Sequence, residues 1–210
     1  MKDIPVFSTE NGVDSLFLSE IPYTALARVK ILSSESPDLF MEECIGFCRA
    51  CGAEVIYASE HNYLERFECS SSIFEMQGQI IDYGDGLLFP VQENTLNAWR
   101  EIANSKFCGI DHAATITDKD CKEMLREGSG YFVHRNGELI GIGRISDEGI
   151  SLLAAVKPGE GETVVRALSQ IVPSEVIKLT VASSNERAIH LYEKLGFVRT
   201  KELTRWYKIF

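Results

Sequence analysis

Apolar and polar positions change period several times along the C-terminal half of the chain. Tyr131-Phe132-Val133-His134-Arg135 and Glu138-Leu139-Ile140-Gly141-Ile142-Gly143 are strand-like runs on either side of Asn136-Gly137. An Asn-Gly pair between two such runs predicts a β-hairpin. Asp147-Glu148-Gly149 then leads into Ile150-Ser151-Leu152-Leu153-Ala154-Ala155-Val156, an uncharged run of buried-strand length. Pro158, Gly159 and Gly161 end it. Val164, Ala167, Leu168, Ile171 and Val172 recur at helical spacing, and Pro173 closes that helix. Val176-Ile177-Lys178-Leu179-Thr180-Val181 reads as a second strand. Strand, glycine-containing turn, helix and strand make a right-handed βαβ unit with its two strands parallel.

Ser183-Ser184-Asn185-Glu186 opens a further helix, with either a Ser183–Glu186 capping box or Asn185 as the N-cap. Ala188, Ile189, Leu191, Tyr192 and Leu195 form its apolar stripe, and Gly196 ends it. Residues 197–200 and 205–210 are expected as two strands. Upstream, residues 93–102 and 118–126 are expected as helices. In the N-terminal part, residues 25–32 read as a strand, 37–50 as a helix, 53–58 as a strand and 72–76 as another. Gly84-Asp85-Gly86 is the strongest boundary signal. It divides a smaller α/β segment, residues 1–84, from a domain of residues 85–210. Phe47-Cys48-Arg49-Ala50-Cys51-Gly52-Ala53 and Leu191-Tyr192-Glu193-Lys194-Leu195-Gly196-Phe197 share a helix-end, glycine, strand pattern. That pattern fits a worn internal repeat, and equally any helix-to-strand junction.

Composition narrows the function classes. The chain has 210 residues, 45% of them hydrophobic and 25% charged, which is globular usage and allows a sizeable core. The formal net charge of -10 argues against nucleic-acid binding and favours cationic or neutral partners. No run approaches the ~20 apolar residues of a membrane span. Met1-Lys2-Asp3-Ile4-Pro5 has no apolar stretch behind its charge, so no export signal is expected and the six cysteines read as reduced cytosolic thiols. Cys44, Cys48 and Cys51 share helical spacing and are read as packing thiols, with no metal site. His61, His112 and His190 form no ligand spacing.

The string Asn185-Glu186-Arg187-Ala188-Ile189-His190-Leu191-Tyr192-Glu193-Lys194-Leu195-Gly196-Phe197 resembles the C-terminal motif of the Gcn5-related N-acetyltransferase (GNAT) superfamily. The resemblance extends in element order over residues 87–210. It implies an acyl-CoA N-acyltransferase-like fold of mixed α/β (α+β) type, with a splayed parallel strand pair and flanking helices. It implies transfer of an acetyl group from acetyl-CoA to a primary amine by direct attack in a ternary complex. The acceptor would be a small-molecule amine or a Lys or N-terminal amine, and the protein a cytoplasmic monomer or homodimer. The pantetheine arm would pair with backbone around Ala154, Ala155 and Val156, Asn185 would open the helix beside the cofactor, and Tyr192 would face the sulfur. The family's pyrophosphate loop reads Arg/Gln-x-x-Gly-x-Gly/Ala. Here Val156-Lys157-Pro158-Gly159-Glu160-Gly161-Glu162-Thr163 reads short, lacks the Arg or Gln, and adds two acids.

That loop also points to an anion without the family. It joins the carboxyl end of a parallel strand to a helix N-terminus, where free amides and the helix dipole favour negative charge. Gly159 and Gly161 permit close approach, and Lys157 or Arg166 is a candidate to offset Glu160 and Glu162. An ordinary glycine-rich turn is the alternative. Tyr192 fits both a packing residue and a hydrogen-bond donor to a departing thiolate. Asp147, Glu148, His134 and a water chain are the candidates for the base. If the repeat holds, Cys48 falls where Tyr192 falls, and the first copy lacks the hydroxyl. A non-catalytic acyl-CoA-binding sensor or interaction module is the competing function. Tight acetyl-CoA binding without thiol release across an amine panel would distinguish it.

Overall fold

The computed structural model describes residues 5–80, 82, 84–110, 113 and 115–210, so residues 1–4 and His112 lie outside the described residues. The chain divides into two compact units: Met1–Ser72 with Leu203–Phe210, and Ile73–Glu202. Gly84, Asp85 and Gly86 lie within the second.

In the first unit, β1 (Val6–Ser8) and β2 (Gly12–Phe17) form an antiparallel hairpin. The short helix α1 (Ile21–Thr24) leads into β3 (Leu26–Ser34), α2 (Pro37–Ala50) and β4 (Val55–Ser59). A 3₁₀ turn over Asn62–Arg66 precedes the start of β5 (Cys69–Gly78). Pro37 in the first turn presets the helical φ of α2, Asp38 lies at its positive end and Arg49 at its negative end. Its inward face, Phe40, Met41, Cys44 and Cys48, packs in one core with Val29, Ile31, Ile56 and Ala58. The parallel pair β3 and β4 is joined at every residue of β4, from Leu26↔Val55 to Lys30↔Ser59.

Cys44 and Cys48 are buried thiols, as their spacing predicts, but Cys51 at the helix end is exposed. By connectivity α2 is the crossover of a parallel βαβ unit. The helix carrying Tyr192 enters an antiparallel strand instead, so chain order does not pair Cys48 with Tyr192.

In the second unit, β6 (Leu87–Pro90) is followed by α3 (Leu96–Phe107), α4 (Asp118–Glu127), β7 (Gly130–Arg135), β8 (Glu138–Ile145) and β9 (Gly149–Ala155). Then come α5 (Gly161–Ser169), β10 (Ile177–Ala182), α6 (Glu186–Lys194) and β11 (Val198–Lys208). Asn136 and Gly137 turn the predicted hairpin with φ of 53° and 78°, the positive pair a tight two-residue turn needs. Helices cover both faces. Val164, Val165, Leu168, Ile189 and Tyr192 pack with Met76, Ile150, Leu179 and Val181. Trp99, Ala103 and Met124 pack with Ile142 and Ala154. The crossover helix ends at Ser169, before Ile171 and Val172. The two strands expected at residues 197–200 and 205–210 are one, Val198–Lys208, because Lys201-Glu202-Leu203-Thr204 contains no breaker; Phe197, Ile209 and Phe210 lie outside it.

In strand order the first unit runs β1-β2-β3-β4-β11 and the second β11-β5-β10-β9-β8-β7-β6. Thus β5 begins in the first unit and ends in the second, and β11 begins in the second and ends in the first. Among the described residues no helix is long and apolar enough to cross a membrane.

Asp14, on β2, is fully buried, and the Cys44 thiol donates to its Oδ2 at 2.9 Å while Oδ1 has no partner among the described residues. Burial raises the Asp14 pKa, opposed by the hydrogen bonds from Cys44 and the Phe7 backbone. Burial also pushes the Cys48 thiol up to about 12. A carboxyl whose pKa is raised by folding binds more protons folded than unfolded. Its folded state is therefore most favoured in acid and loses stability as pH rises through the folded pKa. Asp14→Asn removes that titration. We expect it to raise the melting temperature at about pH 7 and to leave it nearly unchanged at about pH 4. Thermal denaturation across that range checks this, and an offset equal at every pH would refute the assignment.

Candidate functional site

The parallel strands β9 and β10 share only two rungs, Lys178↔Gly149 and Leu179↔Ile150, and then part. Beyond the last rung each is held on its outer side alone. Residues 152–155 pair with β8, and Thr180, Val181 and Ala182 pair with β5. The cause is local. Ile145 on β8 opposes Ile150, but Arg144 opposes Leu152, so Ser151 is an extra residue in β9. Its hydroxyl donates to the Arg144 carbonyl at 3.1 Å. Such a bulge bends its strand, here one residue past the last rung. Gly149 holds the closed end. A Cβ there would lie 1.8 Å from the Lys178 carbonyl oxygen, a position no side chain can occupy.

The Val156 amide donates to the Ile140 carbonyl at 2.8 Å, so by strand alternation the amides of Ala154 and Leu152 also turn toward β8. The amides and carbonyls of Leu153 and Ala155 then face the open fork. Of the three residues named from sequence for backbone pairing, Ala155 presents its own polar groups to the gap. Ala154 presents its side chain to the Trp99 cluster.

Five residues, Val156 to Glu160, join β9 to α5. Gly159 turns at φ 85° and has open space where a Cβ would sit. The first helical bond of α5 runs from the Val164 amide to the Glu160 carbonyl at 3.0 Å. The amides of Gly161, Glu162 and Thr163 precede it, and Glu160 at the N-cap supplies no side-chain cap. Gly161 itself lies against Leu191, whose methyl would be 2.8 Å from a Cβ.

The two acids beside these amides are neutralised within the protein. Glu160 pairs with Arg135 at 3.4 Å, and Arg135 also holds Asp85 at 3.0 Å. Glu162 pairs with Arg166 at 3.0 Å and Lys194 at 2.8 Å, and these hydrogen bonds hold its carboxyl below the usual range. Arg166 therefore offsets Glu162 as anticipated, whereas Lys157 is taken by Glu138. Arg135 comes from the hairpin, far away in sequence.

Asn185 is the N-cap of α6, its side chain accepting from the Ala188 amide at 3.2 Å. Tyr192 is 6% exposed and its ring centre lies 6.0 Å from that of Phe197. It belongs to the same buried cluster as Ile150 and Leu179, the last rung of the fork. Burial raises its pKa above the ordinary phenol value, so the hydroxyl stays protonated. No hydrogen bond to that hydroxyl is formed among the described residues.

The candidate bases lie elsewhere. Glu148 is at the closed end, its carbonyl accepting from the Lys178 amide at 3.0 Å and its carboxylate from the Lys178 side chain at 2.6 Å. Asp147 precedes it in the turn before β9. His134 is on β7, which β8 separates from β9, and packs edge-on against Phe89 with ring centres 4.9 Å apart. His190 is exposed.

No known family profile matches the chain, and no curated protein matches it. Solved structures do. A functionally unknown conserved protein from Staphylococcus epidermidis superposes with a TM-score of 0.61 at 10% identity, over 99% of this chain and 94% of that one. A GCN5-related N-acetyltransferase from Sphaerobacter thermophilus gives 0.59 at 11%, over 94% of this chain and 76% of that one. One from Kribbella flavida gives 0.55 at 13%, over 98% and 88%. The fold is that of the GCN5-related N-acetyltransferases.

The fork makes a direct prediction for native-state hydrogen exchange. Leu153 and Ala155 amides should exchange about tenfold faster or more than those of Leu152 and Ala154, although all four lie in one strand. Equal protection would mean that the fork is zipped in solution. Gly149→Ala should cost about 3 kcal/mol or more in urea denaturation, above ordinary overpacking because the clash is with backbone.

Proposed function

We propose that the protein is an N-acetyltransferase that uses acetyl-CoA and a primary amine. The observation that carries this reading is the fork itself, which opens toward three uncapped amides at the start of α5. The donor set suits the cosubstrate. A pantetheine arm carries amide groups of its own, and the exposed edge of Leu153 and Ala155 offers both a donor and an acceptor to each of them. A diphosphate suits the amides of Gly161, Glu162 and Thr163, with the open turn at Gly159 giving it room. Val156 lies at the junction between the two subsites, and the ion pairs of Glu160 and Glu162 reduce the repulsion a diphosphate would meet there. Asn185 acts through α6, whose first turn it caps.

Acetyl-CoA, when bound, supplies an acetyl group activated as a thioester. The chain's own part is to hold and orient it and to stabilise charge. Backbone amides along the fork are fixed donors for developing oxyanion charge, effective because they need no reorganisation. Tyr192 is a donor to sulfur rather than a strong acid. Its pKa lies above the ~10 of a free phenol, whereas a thiol has ~8.5. A full proton transfer to the thiolate is therefore uphill, and the contribution is a positioned hydrogen bond. The incoming amine loses its proton to water, since the acidic side chains weighed for that task sit at the closed end of the fork or outside it.

The two units differ in the feature this function needs. The parallel pair of the first unit is paired along all of β4, which leaves no open edge. Titration calorimetry with acetyl-CoA should therefore give one site per chain, and two sites would refute the distinction. Tyr192→Phe should lower kcat at least about tenfold, equivalent to about 1.4 kcal/mol, while leaving the acetyl-CoA Kd unchanged. An unaltered rate would remove Tyr192 from the chemistry.

A further inference from the structure

Lys106 stands in the last turn of α3, and its ammonium donates to the carbonyl of Val156 at 3.1 Å. Val156 is the first residue of the loop that carries Gly159 to the start of α5. The other cations at this loop are all held by acids: Lys157 by Glu138, Arg135 by Asp85 and Glu160, Arg166 and Lys194 by Glu162. Lys106 pairs with no carboxylate among the described residues. It is exposed, on a flexible four-carbon stem, and its only partner among the described residues is a neutral carbonyl. The loop itself has Val156 and no arginine or glutamine before its glycines, so its own sequence brings no free positive charge to the anion subsite.

We propose that Lys106 supplies that charge: it is a binding residue for the phosphate groups of the cosubstrate, parked on the Val156 carbonyl until a phosphate oxygen replaces it. The inference rests on the acetyl-CoA reading above and adds a residue to it from a different part of the chain. A carbonyl is a weak partner for an ammonium. A phosphate oxygen carries formal charge and makes the shorter, stronger bond. The carbonyl that holds the ammonium opens the five-residue loop that ends at the α5 amides. The helix that bears Lys106 is packed by Trp99 and Ala103 against the sheet, so the stem starts from a fixed point.

The test compares two ligands that differ in their phosphates. Binding of acetyl-CoA and of acetyl-pantetheine is measured by calorimetry for the wild-type chain, Lys106→Met and Lys106→Arg, with melting temperatures as a folding control. Lys106→Met should weaken acetyl-CoA binding about tenfold at low salt and leave acetyl-pantetheine binding unchanged. Lys106→Arg should restore most of the loss. The salt dependence of acetyl-CoA binding should also be shallower in Lys106→Met. Equal weakening of both ligands would overturn the proposal, since it would place Lys106 on the arm or the loop shape instead. An unchanged acetyl-CoA Kd would overturn it as well. A wild-type chain that binds acetyl-pantetheine and acetyl-CoA equally well would overturn the phosphate role of Lys106 while sparing the fork, and one that binds neither would overturn both readings.

Discussion

Everything at the candidate site depends on two parallel strands that share two rungs and then separate. Backbone donors and acceptors inside a folded protein are almost always paired, and the open edges at Leu153 and Ala155 depart from that rule. The departure is stable because each strand is anchored on its far side, β9 by β8 and β10 by β5. Gly149 brings the strands into contact and Ser151, one residue past the final rung, turns one of them away. An edge held open by its neighbours is preorganised for an extended ligand, because no local hydrogen bond must break before it binds.

The electrostatics follow from the same position. Glu160 and Glu162 look unsuited to an anion subsite, but both are engaged by arginine and lysine side chains. Ion pairs at the surface contribute little to stability, about 0–1 kcal/mol each, and these are only partly buried. Their importance here is in the local field. The amides of α5 meet neither an uncompensated carboxylate nor, from the loop itself, a free cation.

Much of this was legible in the chain. The Asn136-Gly137 hairpin, the βαβ crossover and the helix at Asn185 all follow from short-range rules of turn chemistry and period, and the structure has each of them. The fork was implied only by family resemblance, and its cause was not legible. Ser151 is one polar residue in an apolar run, and whether it forms a bulge is decided by the register with β8. Arg135 is likewise invisible as a loop partner, since the contact with Glu160 is made by folding. A missed element did have a signal. Asn11-Gly12 marks the place, although Glu10 and Asn11 make the turn and Gly12 already begins β2; the three residues of β1 are too few to show alternation. The closed parallel pair of the first unit could not be told from the open one, because both read as strand, helix and strand.

The crossing of β5 and β11 between the units has a consequence for how the protein is made. The Ile56 amide donates to the carbonyl of Phe210, and Tyr57 and Ala58 pair with Lys208 and Tyr207. Ribosomes deliver the first seventy or so residues early, yet the sheet they form lacks a strand until the whole stretch between has emerged. Nascent β4 must wait with a bare border, exposed to wrong partners, while its eventual neighbour is still being translated.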